Sequence, residues 1–339
     1  MKKLLFTLTI TLISLSGFSQ ELETILLARE DAEKITNAYL NPGFKGLIYS
    51  MNNGWYHTAK VHKKLGFDIT IGASLSSIPE KDELFDLRNI GLSSSTAFNQ
   101  NTTQTVGGSG TQPTATITYQ TTIAGQNVST DFQMPTGIKN DLPLNSVPAP
   151  SVQVSVGLPY QFDAMLRYTP EVGNDVKGRI FGFGIKKEIT DWFGIVEKTP
   201  LHISLLAAYS NMNVDYEIGT VNGDVSTQNA AAEFKLNAYT FQALASLNLP
   251  VVNFFGGVGY NTGNVTLNML GDYTLSYQVN GSPTPFTETV TDPLSLKNDT
   301  GSFNATAGIR LSLGFFKLFG SYTAQEYSSF NAGIAFSFR

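Results

Sequence analysis

The chain contains no cysteine, little charge and no long hydrophobic run. Without cysteine there can be no disulfide, thiolate metal site, cysteine nucleophile or lipidated N-terminal cysteine. Charged residues make up 14% of the 339 residues, well below the ~25% of an ordinary soluble protein. A formal net charge of −5 argues against a nucleic-acid-binding protein, which needs a basic surface. After the first twenty residues, no segment approaches the ~18 consecutive apolar residues of a transmembrane helix.

The first nineteen residues have the pattern of a signal peptide. Two lysines precede an apolar run from Leu4 to Leu15. The small residues Gly17 and Ser19 fit a signal-peptidase site, so we predict cleavage after Ser19. The run is too short to span ~30 Å of hydrocarbon as a helix. An exported chain without a helical anchor is a periplasmic or secreted protein, or an outer-membrane β-barrel.

Residues 20–65 differ in pattern from the rest of the exported chain. From Glu21 to Leu40, apolar residues recur every three or four positions, which predicts a helix. Asn41-Pro42-Gly43 is a typical helix stop, and we expect the helix to end there. Residues 44–65 are aromatic and polar, and they predict mainly irregular structure.

From Gly66 onward, apolar and polar residues alternate. The clearest alternating segments are residues 66–76, 152–156, 161–168, 201–210, 239–247, 303–313 and 328–338. Segments of about ten residues fit membrane-crossing strands, with a charge-free apolar face toward lipid. A soluble β-sandwich also alternates, but aromatic residues at the ends of the apolar rows and very short turns favour a barrel. We therefore predict an all-β fold, a transmembrane antiparallel β-barrel of about fourteen strands, within a range of about 12 to 16.

The predicted organisation has three parts. Residues 1–19 are the signal peptide, residues 20–65 a small N-terminal helical plug, and residues 66–339 the outer-membrane barrel. A long polar loop at about residues 80–148 interrupts the barrel; it is uncharged between Asn89 and Thr130 and predicts a flexible loop with room for a hairpin. Residues 279–299 contain three prolines and predict a second long loop. A barrel of this size leaves a lumen too wide for its own side chains to fill.

Two motifs carry a resemblance to known families. A-Y-L-N-P-G-F-K-G-L at residues 38–47 and G-W-Y-H-T-A-K-V-H-K-K-L-G-F-D-I-T at residues 54–70, with G-L-P downstream, resemble an uncharacterised Bacteroidota outer-membrane family. That resemblance implies no activity. The order of the elements, with Asn41-Pro42 before the strands, resembles the FadL-like outer-membrane transporters of fatty acids and hydrocarbons. The second resemblance implies that residues 20–65 fold inside the barrel as a plug and that the cargo is a small hydrophobic compound.

The predicted function is passive uptake of a small, fatty-acid-like compound through a plugged lumen. A general or ion-selective porin and a structural surface barrel without transport are the alternatives. Only the N-terminal segment offers clustered aromatic residues off the strands, so Phe44, Tyr49, Trp55 and Tyr56 are the predicted ligand-binding residues. In the competing interpretation, these side chains pack the plug against the wall.

Four charged residues lie on the polar faces of predicted strands: Asp68, Asp163, Arg167 and Arg310. In a porin, inward charges of this kind select ions. They can equally pair with the Glu, Asp and Lys residues of the plug, and we favour pairing because the plug helix is charged around much of its circumference.

The sequence predicts no enzyme, metal or cofactor. His202 and Ser204 share one strand face and weakly resemble the catalytic pair of outer-membrane phospholipases. They lie on the polar face, whereas the pair of that family faces lipid. His57 and His62 have no carboxylate at metal-ligand spacing, and we expect them to be structural or exposed.

The last strand ends with alternating Phe336 and Phe338 before Arg339. This ending resembles the terminal signal that the barrel-assembly machinery recognises, although many families have the aromatic residue at the last position. The expected partners are outer-membrane lipid, this machinery and, for uptake, a small hydrophobic ligand. The expected location is the bacterial outer membrane.

Overall fold

The computed structural model describes residues 22–172, 176–218 and 223–338. The predicted signal peptide and its cleavage site lie outside the described residues. The described chain begins with a 3-10 helix, Thr24–Asp31, and an α-helix, α1, Ala32–Asn52. Within these ranges, no helix is both long and apolar enough to cross a membrane.

Sixteen strands follow α1. They are β1 (Phe67–Ser77), β2 (Leu84–Asp86), β3 (Thr96–Phe98), β4 (Thr102–Gln104), β5 (Thr116–Ile123), β6 (Gln126–Gln133), β7 (Ser146–Leu158), β8 (Phe162–Val172), β9 (Val176–Glu188), β10 (Leu201–Glu217), β11 (Val225–Asn248), β12 (Val252–Val279), β13 (Phe286–Thr291), β14 (Leu294–Leu313), β15 (Phe316–Ala324) and β16 (Ser329–Phe338). Short 3-10 segments lie at Glu80–Asp82, Leu87–Asn89, Lys139–Asp141, Pro143–Asn145 and Thr190–Lys198.

The main sheet closes into a barrel. β1 pairs antiparallel with both β7 and β16, and β11 pairs with both β10 and β12, so the succession of paired strands closes on itself. The predicted fold class, an all-β antiparallel barrel, is confirmed. The sheet contains fourteen strands, of which β3, β5, β6 and β13 extend beyond the ring and the other ten form the wall.

The wall has an apolar outer face and a polar inner face. In β11, for example, Phe241 is 55% exposed whereas its neighbours Thr240 and Gln242 are buried. A soluble sheet would bury the apolar row instead. Exposed apolar rows around a closed ring are the surface that lipid requires, and the fold is that of an outer-membrane β-barrel.

The two ends of the barrel differ. Residues 159–161, 249–251 and 314–315 form short turns at one end, where β1 begins and β16 ends. A long connection, residues 78–145, lies at the other. In outer-membrane barrels the short turns are periplasmic and the long connections extracellular. We therefore name these the periplasmic end and the outer end.

The long connection, here called the outer cap, is residues 78–145. The sequence predicts a flexible polar loop with room for a hairpin there. β5 and β6 form a hairpin, but the outer cap also contains β2–β4 and packs on a hydrophobic core that includes Ile117 and Phe132. Asp31 fixes it to the helical segment by accepting hydrogen bonds from the hydroxyls of Ser93 and Thr96, each at 2.7 Å. The sequence did not reveal this packing because the buried residues are spread thinly through a polar stretch. The second predicted loop, residues 279–299, is likewise mostly strand, since β13 and β14 occupy most of it.

α1 lies inside the ring, where it contacts β1, β7, β10, β11, β12 and β14. The prediction that the helix ends at residues 41–43 is wrong, because α1 continues through Pro42 to Asn52. Proline removes one helical hydrogen bond, and tight packing compensates. A Cβ on Gly43 would lie 2.9 Å from the Val106 side chain, and one on Gly46 would lie 2.6 Å from the Val147 side chain.

The described N-terminal segment, residues 22–66, spans the barrel from end to end. At the outer end, the Tyr277 hydroxyl of β12 donates to the Leu27 carbonyl at 3.3 Å. At the periplasmic end, residues 53–66 run irregularly to the start of β1, and the Leu65 N–H donates to the Gly157 carbonyl at 2.8 Å.

Candidate functional site

The four charged residues expected in the lumen, Asp68, Asp163, Arg167 and Arg310, are all at least nine-tenths buried. Each of them binds a residue of the N-terminal segment. The partners are histidine rings and backbone groups, not the Glu, Asp and Lys side chains that the sequence analysis favoured. These four charged side chains therefore bind the N-terminal segment through histidine rings and backbone groups, which the charged residues of α1 do not predict.

His57 lies between Asp68 of β1 and Arg310 of β14. Its Nε2 is 3.1 Å from Oδ2 of Asp68, and its Nδ1 is 3.0 Å from an Arg310 nitrogen. A guanidinium only donates hydrogen bonds, so Nδ1 accepts and the ring proton sits on Nε2, from which it is donated to Asp68. His57 is therefore neutral. Burial lowers the pKa of His57, and the contact with Asp68 only partly offsets this effect.

His62 is in the opposite state. Its Nδ1 is 3.1 Å from Oδ2 of Asp163, and its Nε2 is 3.2 Å from Oδ2 of Asp68. Two carboxylate acceptors require two N–H donors, so the ring is a positively charged imidazolium. Burial alone would lower the pKa of His62, but the two carboxylates outweigh it and raise the pKa to about 9.

β9 adds a second pair of charges to this cluster. Lys186 Nζ is 3.1 Å from Oδ2 of Asp163 and donates to the Lys60 carbonyl at 3.1 Å. Glu188 accepts from the Val61 N–H at 3.0 Å. We call residues 57–62 and the strand side chains that bind them the periplasmic anchor. Its negative charges on Asp68, Asp163 and Glu188 balance the positive charges on His62, Lys186 and Arg310, as buried charges require.

Arg167 fixes the end of α1 by a different means. Its guanidinium donates to the carbonyls of Met51 at 3.0 Å and Asn53 at 3.2 Å, and it lies 4.0 Å from the centre of the Trp55 ring. The last carbonyls of a helix carry partial negative charge, which favours a cation at that position. Arg167 thus compensates its charge with the helix terminus and an aromatic face instead of a carboxylate.

The four aromatic residues expected to bind ligand are all buried. They do not meet in one pocket; each packs on a different neighbour: Phe44 on Phe234, Tyr49 on Tyr327, Tyr56 on Phe255, with ring centres 5.7–5.8 Å apart, and Trp55 on Arg167. These contacts favour packing, and the ligand-binding role stays a prediction.

A substitution at Tyr56 distinguishes packing from ligand binding. Tyr56→Leu removes the edge-to-face contact with Phe255 while keeping an apolar side chain, so we expect the free energy of unfolding to fall by about 1–2 kcal/mol. We expect laurate affinity, measured by calorimetry, to be unchanged. Tyr260→Leu on the lipid-facing side is the control. A selective loss of laurate affinity in Tyr56→Leu, with a folded barrel, would restore the predicted ligand site.

His202 and Ser204 do not form a catalytic pair. The Ser204 hydroxyl donates to the Ala59 carbonyl, whereas His202 Nδ1 lies 2.6 Å from Oε1 of Glu188. Both side chains thus hold the periplasmic anchor. Within the described ranges, no group of three His, Asp or Glu side chains is arranged to hold a metal ion.

The sequence analysis missed Lys186 and Glu188 and the partners of His57 and His62. Lys186 and Glu188 are two apart on β9, and both are buried, so the alternation of β9 carried a usable signal. The two histidines have no carboxylate at metal-ligand spacing in the sequence. The carboxylates that bind them are Asp68 and Asp163, which come from two different strands of the wall.

Comparisons with known proteins give a family but no activity. A family model described as a family of unknown function (DUF6588) matches residues 1–338. No curated protein matches the chain. The match supports an uncharacterised family; the Bacteroidota origin and the FadL-like resemblance stay predictions.

Similar solved structures are barrel proteins of bacteria. The attachment invasion locus protein Ail of Yersinia pestis is 9% identical with a TM-score of 0.26, covering 81% of this chain and 100% of its own. The translocator domain of the autotransporter NalP from Neisseria meningitidis is 10% identical with a TM-score of 0.30, covering 93% and 99%. A BenF-like porin from Pseudomonas fluorescens is 9% identical with a TM-score of 0.14, covering 81% and 99%. At these values, nothing about the activities of these proteins carries over to this chain.

Proposed function

Because the chain belongs to this family of unknown function and folds as an outer-membrane β-barrel, we propose a function from its own geometry. It passes a small hydrophobic, fatty-acid-like compound between its lumen and the outer leaflet, with the N-terminal segment acting as a plug. The occupied lumen and the outer cap support a route through the wall, since both obstruct a straight axial path.

The observation that carries the proposal is a break in the wall between β7 and β8. Their ladder ends at the pair Gln153–Arg167, although β7 starts at Ser146 and β8 reaches Val172. Over the same stretch, β7 remains paired with β1 as far as Ser146. The break is therefore confined to one side of β7.

Proline explains why the ladder ends there. The Gly157 N–H donates to the Gly66 carbonyl, on the β1 side. Alternate residues of an antiparallel strand direct their backbone N–H and C=O groups to opposite neighbours, so in β7 these groups point toward β1 at odd-numbered residues and toward β8 at even-numbered residues. Pro148 and Pro150 have no N–H to donate toward β8. Continuing the register would place Pro150 opposite Pro170, so neither strand can donate at that rung. The sequence itself keeps these rungs open.

The break faces lipid on the outside and α1 on the inside. Val152, Leu166 and Tyr168 flank it and are 41%, 49% and 52% exposed. Behind β7, the Ser50 hydroxyl of α1 donates to the Val147 carbonyl at 2.6 Å. A displacement of α1 would connect the lumen with the membrane at this point. Passage is passive in this proposal, because it needs only movement of the plug.

Cross-linking the break tests the proposal. The chain has no cysteine, so the double variant Val152→Cys/Tyr168→Cys introduces one possible disulfide. We expect oxidation to slow uptake of a fluorescent lauric-acid analogue into proteoliposomes by about tenfold or more, and reduction to restore it. Val154→Cys/Leu166→Cys joins a rung that is already paired, and its oxidation should change nothing.

Two results would contradict the proposal. Uptake that is equal in the oxidised and reduced forms of both variants removes the break from the route. Wild-type uptake no faster than that of empty liposomes supports a structural surface barrel instead.

The porin alternative is tested by conductance. We expect no steady ionic current from the full chain in planar bilayers, because α1 and the periplasmic anchor occupy the lumen. A steady current from the intact protein would favour a general or ion-selective porin over a plugged barrel.

Assembly and surroundings complete the proposal. Outer-membrane lipid surrounds the exposed apolar rows, and the barrel-assembly machinery recognises β16 through Phe336 and Phe338. In support of this role of β16, Phe338 stacks on Phe67 of the neighbouring strand β1, with ring centres 5.1 Å apart.

A further inference from the structure

A cleft opens at the outer end of the N-terminal segment, away from the break and the periplasmic anchor. It has a volume of about 590 Å³ and lies between the 3-10 helix Thr24–Asp31, β5 and the hairpin of β12 and β13. This volume falls in the range of small-molecule sites, ~300–1,000 Å³. Its lining mixes polar and apolar groups, and the apolar part includes Leu26, Ile123, Leu275 and Val290.

The elements that form this cleft carry buried polar atoms that have no hydrogen-bond partner among the described residues. Tyr273 lines it and is fully buried, and its hydroxyl has no hydrogen-bond partner among the described residues. Both carboxylate oxygens of Glu23, a residue only 1% exposed, and Oε2 of Glu288 are also unpartnered within the described chain. The three carboxylate oxygens only accept hydrogen bonds, and the tyrosine hydroxyl both accepts and donates. A buried acceptor without a donor is unfavourable, so the three carboxylate oxygens indicate a ligand that donates.

The helix geometry directs Glu23 toward the cleft. In a 3-10 helix, side chains three residues apart lie above one another. Glu23 immediately precedes Thr24, and Leu26, three residues later, lines the cleft. Glu23 therefore lies in the same row as Leu26. Burial raises the pKa of the Tyr273 hydroxyl at the cleft, and the negative charge of Glu23 adds to this effect, so the two groups lie close together.

Arg29 ties the two walls of the cleft together. Its guanidinium lies 3.1 Å from Oε1 of Glu288 on β13. Its backbone has a φ of 47°, which is unfavourable for a residue with a side chain. The ion pair uses one oxygen of Glu288 and leaves the other free for a ligand.

We propose that this cleft binds a small amphipathic amine, whose ammonium group donates to Glu23 and Tyr273 and whose apolar body lies against Leu26, Ile123 and Val290. Three carboxylates, on Glu23, Glu30 and Glu288, outnumber the single cation of Arg29, so a positive head group is favoured and a carboxylate is repelled. Burial raises the pKa of Glu23 to about 7. An ammonium binds the ionised carboxylate, so affinity should increase as Glu23 loses its proton.

Three probes of equal chain length separate head-group recognition from partition into lipid. Octylamine, octanol and octanoate are titrated by calorimetry into the full-length barrel in lipid nanodiscs, with empty nanodiscs subtracted. We expect saturable octylamine binding at least about tenfold tighter than octanol, and no octanoate binding. Octylamine affinity should rise between about pH 6 and about pH 8, because Glu23 ionises there.

Conservative variants locate the site. Glu23→Gln should weaken octylamine binding by about tenfold or more while leaving octanol unchanged, and Tyr273→Phe should weaken it less. Glu80→Gln, at an exposed residue of the outer cap, is the matched control. If Glu23→Gln fails to fold, Tyr273→Phe and the comparison of head groups on the wild-type protein still decide.

Equal affinities for octylamine and octanol, or no effect of either variant, would overturn the inference. The inference does not rest on the lipid-facing break. Oxidised Val152→Cys/Tyr168→Cys should bind octylamine normally even where its uptake of the lauric-acid analogue is lost, so failure of one proposal is distinguishable from failure of the other.

Discussion

Replacing Asp163 with alanine is expected to lower the free energy of unfolding by about 4 kcal/mol. Asp163 is fully buried, and it accepts from the His62 N–H at 2.9 Å while lying 3.1 Å from both the His62 ring and Lys186 Nζ. Removing one partner of a buried ion pair costs about 3–5 kcal/mol, because the remaining charge stays buried without compensation. The shift in the urea midpoint of the folded barrel, followed by its heat-modifiable mobility, measures the effect.

The companion variants separate charge from packing. Lys186→Met in the Asp163→Ala background removes one uncompensated cation and keeps the side-chain volume, so we expect it to recover about half of the loss. Asp215→Ala, at an exposed residue near the outer end of β10, should change the free energy of unfolding by less than about 0.5 kcal/mol. Equal effects of Asp163→Ala and Asp215→Ala would mean that the periplasmic anchor does not stabilise the barrel.

The barrel could be predicted because lipid imposes a simple pattern on each strand. Alternation alone predicts that Phe241 points outward and Thr240 inward, and the structure confirms both directions. The helix boundary could not be predicted in the same way. Local propensity ends a helix at Asn41-Pro42-Gly43, whereas close packing of Gly43 and Gly46 inside the ring carries α1 to Asn52.

The contacts of the inward charges lie beyond local pattern. The alternation of inward and outward residues predicts that Asp68 and Asp163 face the lumen, but it does not predict which residue of the N-terminal segment lies opposite them. His57 and His62 reach them because β1 and β8 stand on either side of β7 in the closed ring. The spacing of residues along the sequence does not predict that arrangement of strands.

The break between β7 and β8 is an intermediate case. The prolines at positions 148, 150 and 170 are visible in the sequence. Their meaning depends on register, because a shift of one residue would turn the same prolines toward the other neighbouring strands. Only the observed pairing of Gln153 with Arg167 shows that all three prolines lie at the break between β7 and β8.

The stability of the periplasmic anchor is expected to depend on pH in a way that identifies each histidine. The pKa of folded His62 is about 9, above its ordinary value of 6.5. Its stabilisation is therefore complete below about pH 6.5 and is lost as the pH rises through 9. A difference of this size corresponds to about 3 kcal/mol. His57 has a lowered pKa, so its contribution is present above about pH 6.5 and is lost as the pH falls.

Urea midpoints of the folded barrel measured between about pH 5 and about pH 10 should therefore pass through a maximum near neutrality. His62→Gln should flatten the alkaline side, because it removes the group that loses its proton there, and His57→Gln should flatten the acidic side. The two variants act as controls for each other, since both remove one ring from the same cluster. Protonation of His57 would also set a positive ring against Arg310, 3.0 Å away, which steepens the acidic loss. Parallel curves for the wild-type protein and His62→Gln above pH 7 would show that His62 is not the charged link between Asp68 and Asp163.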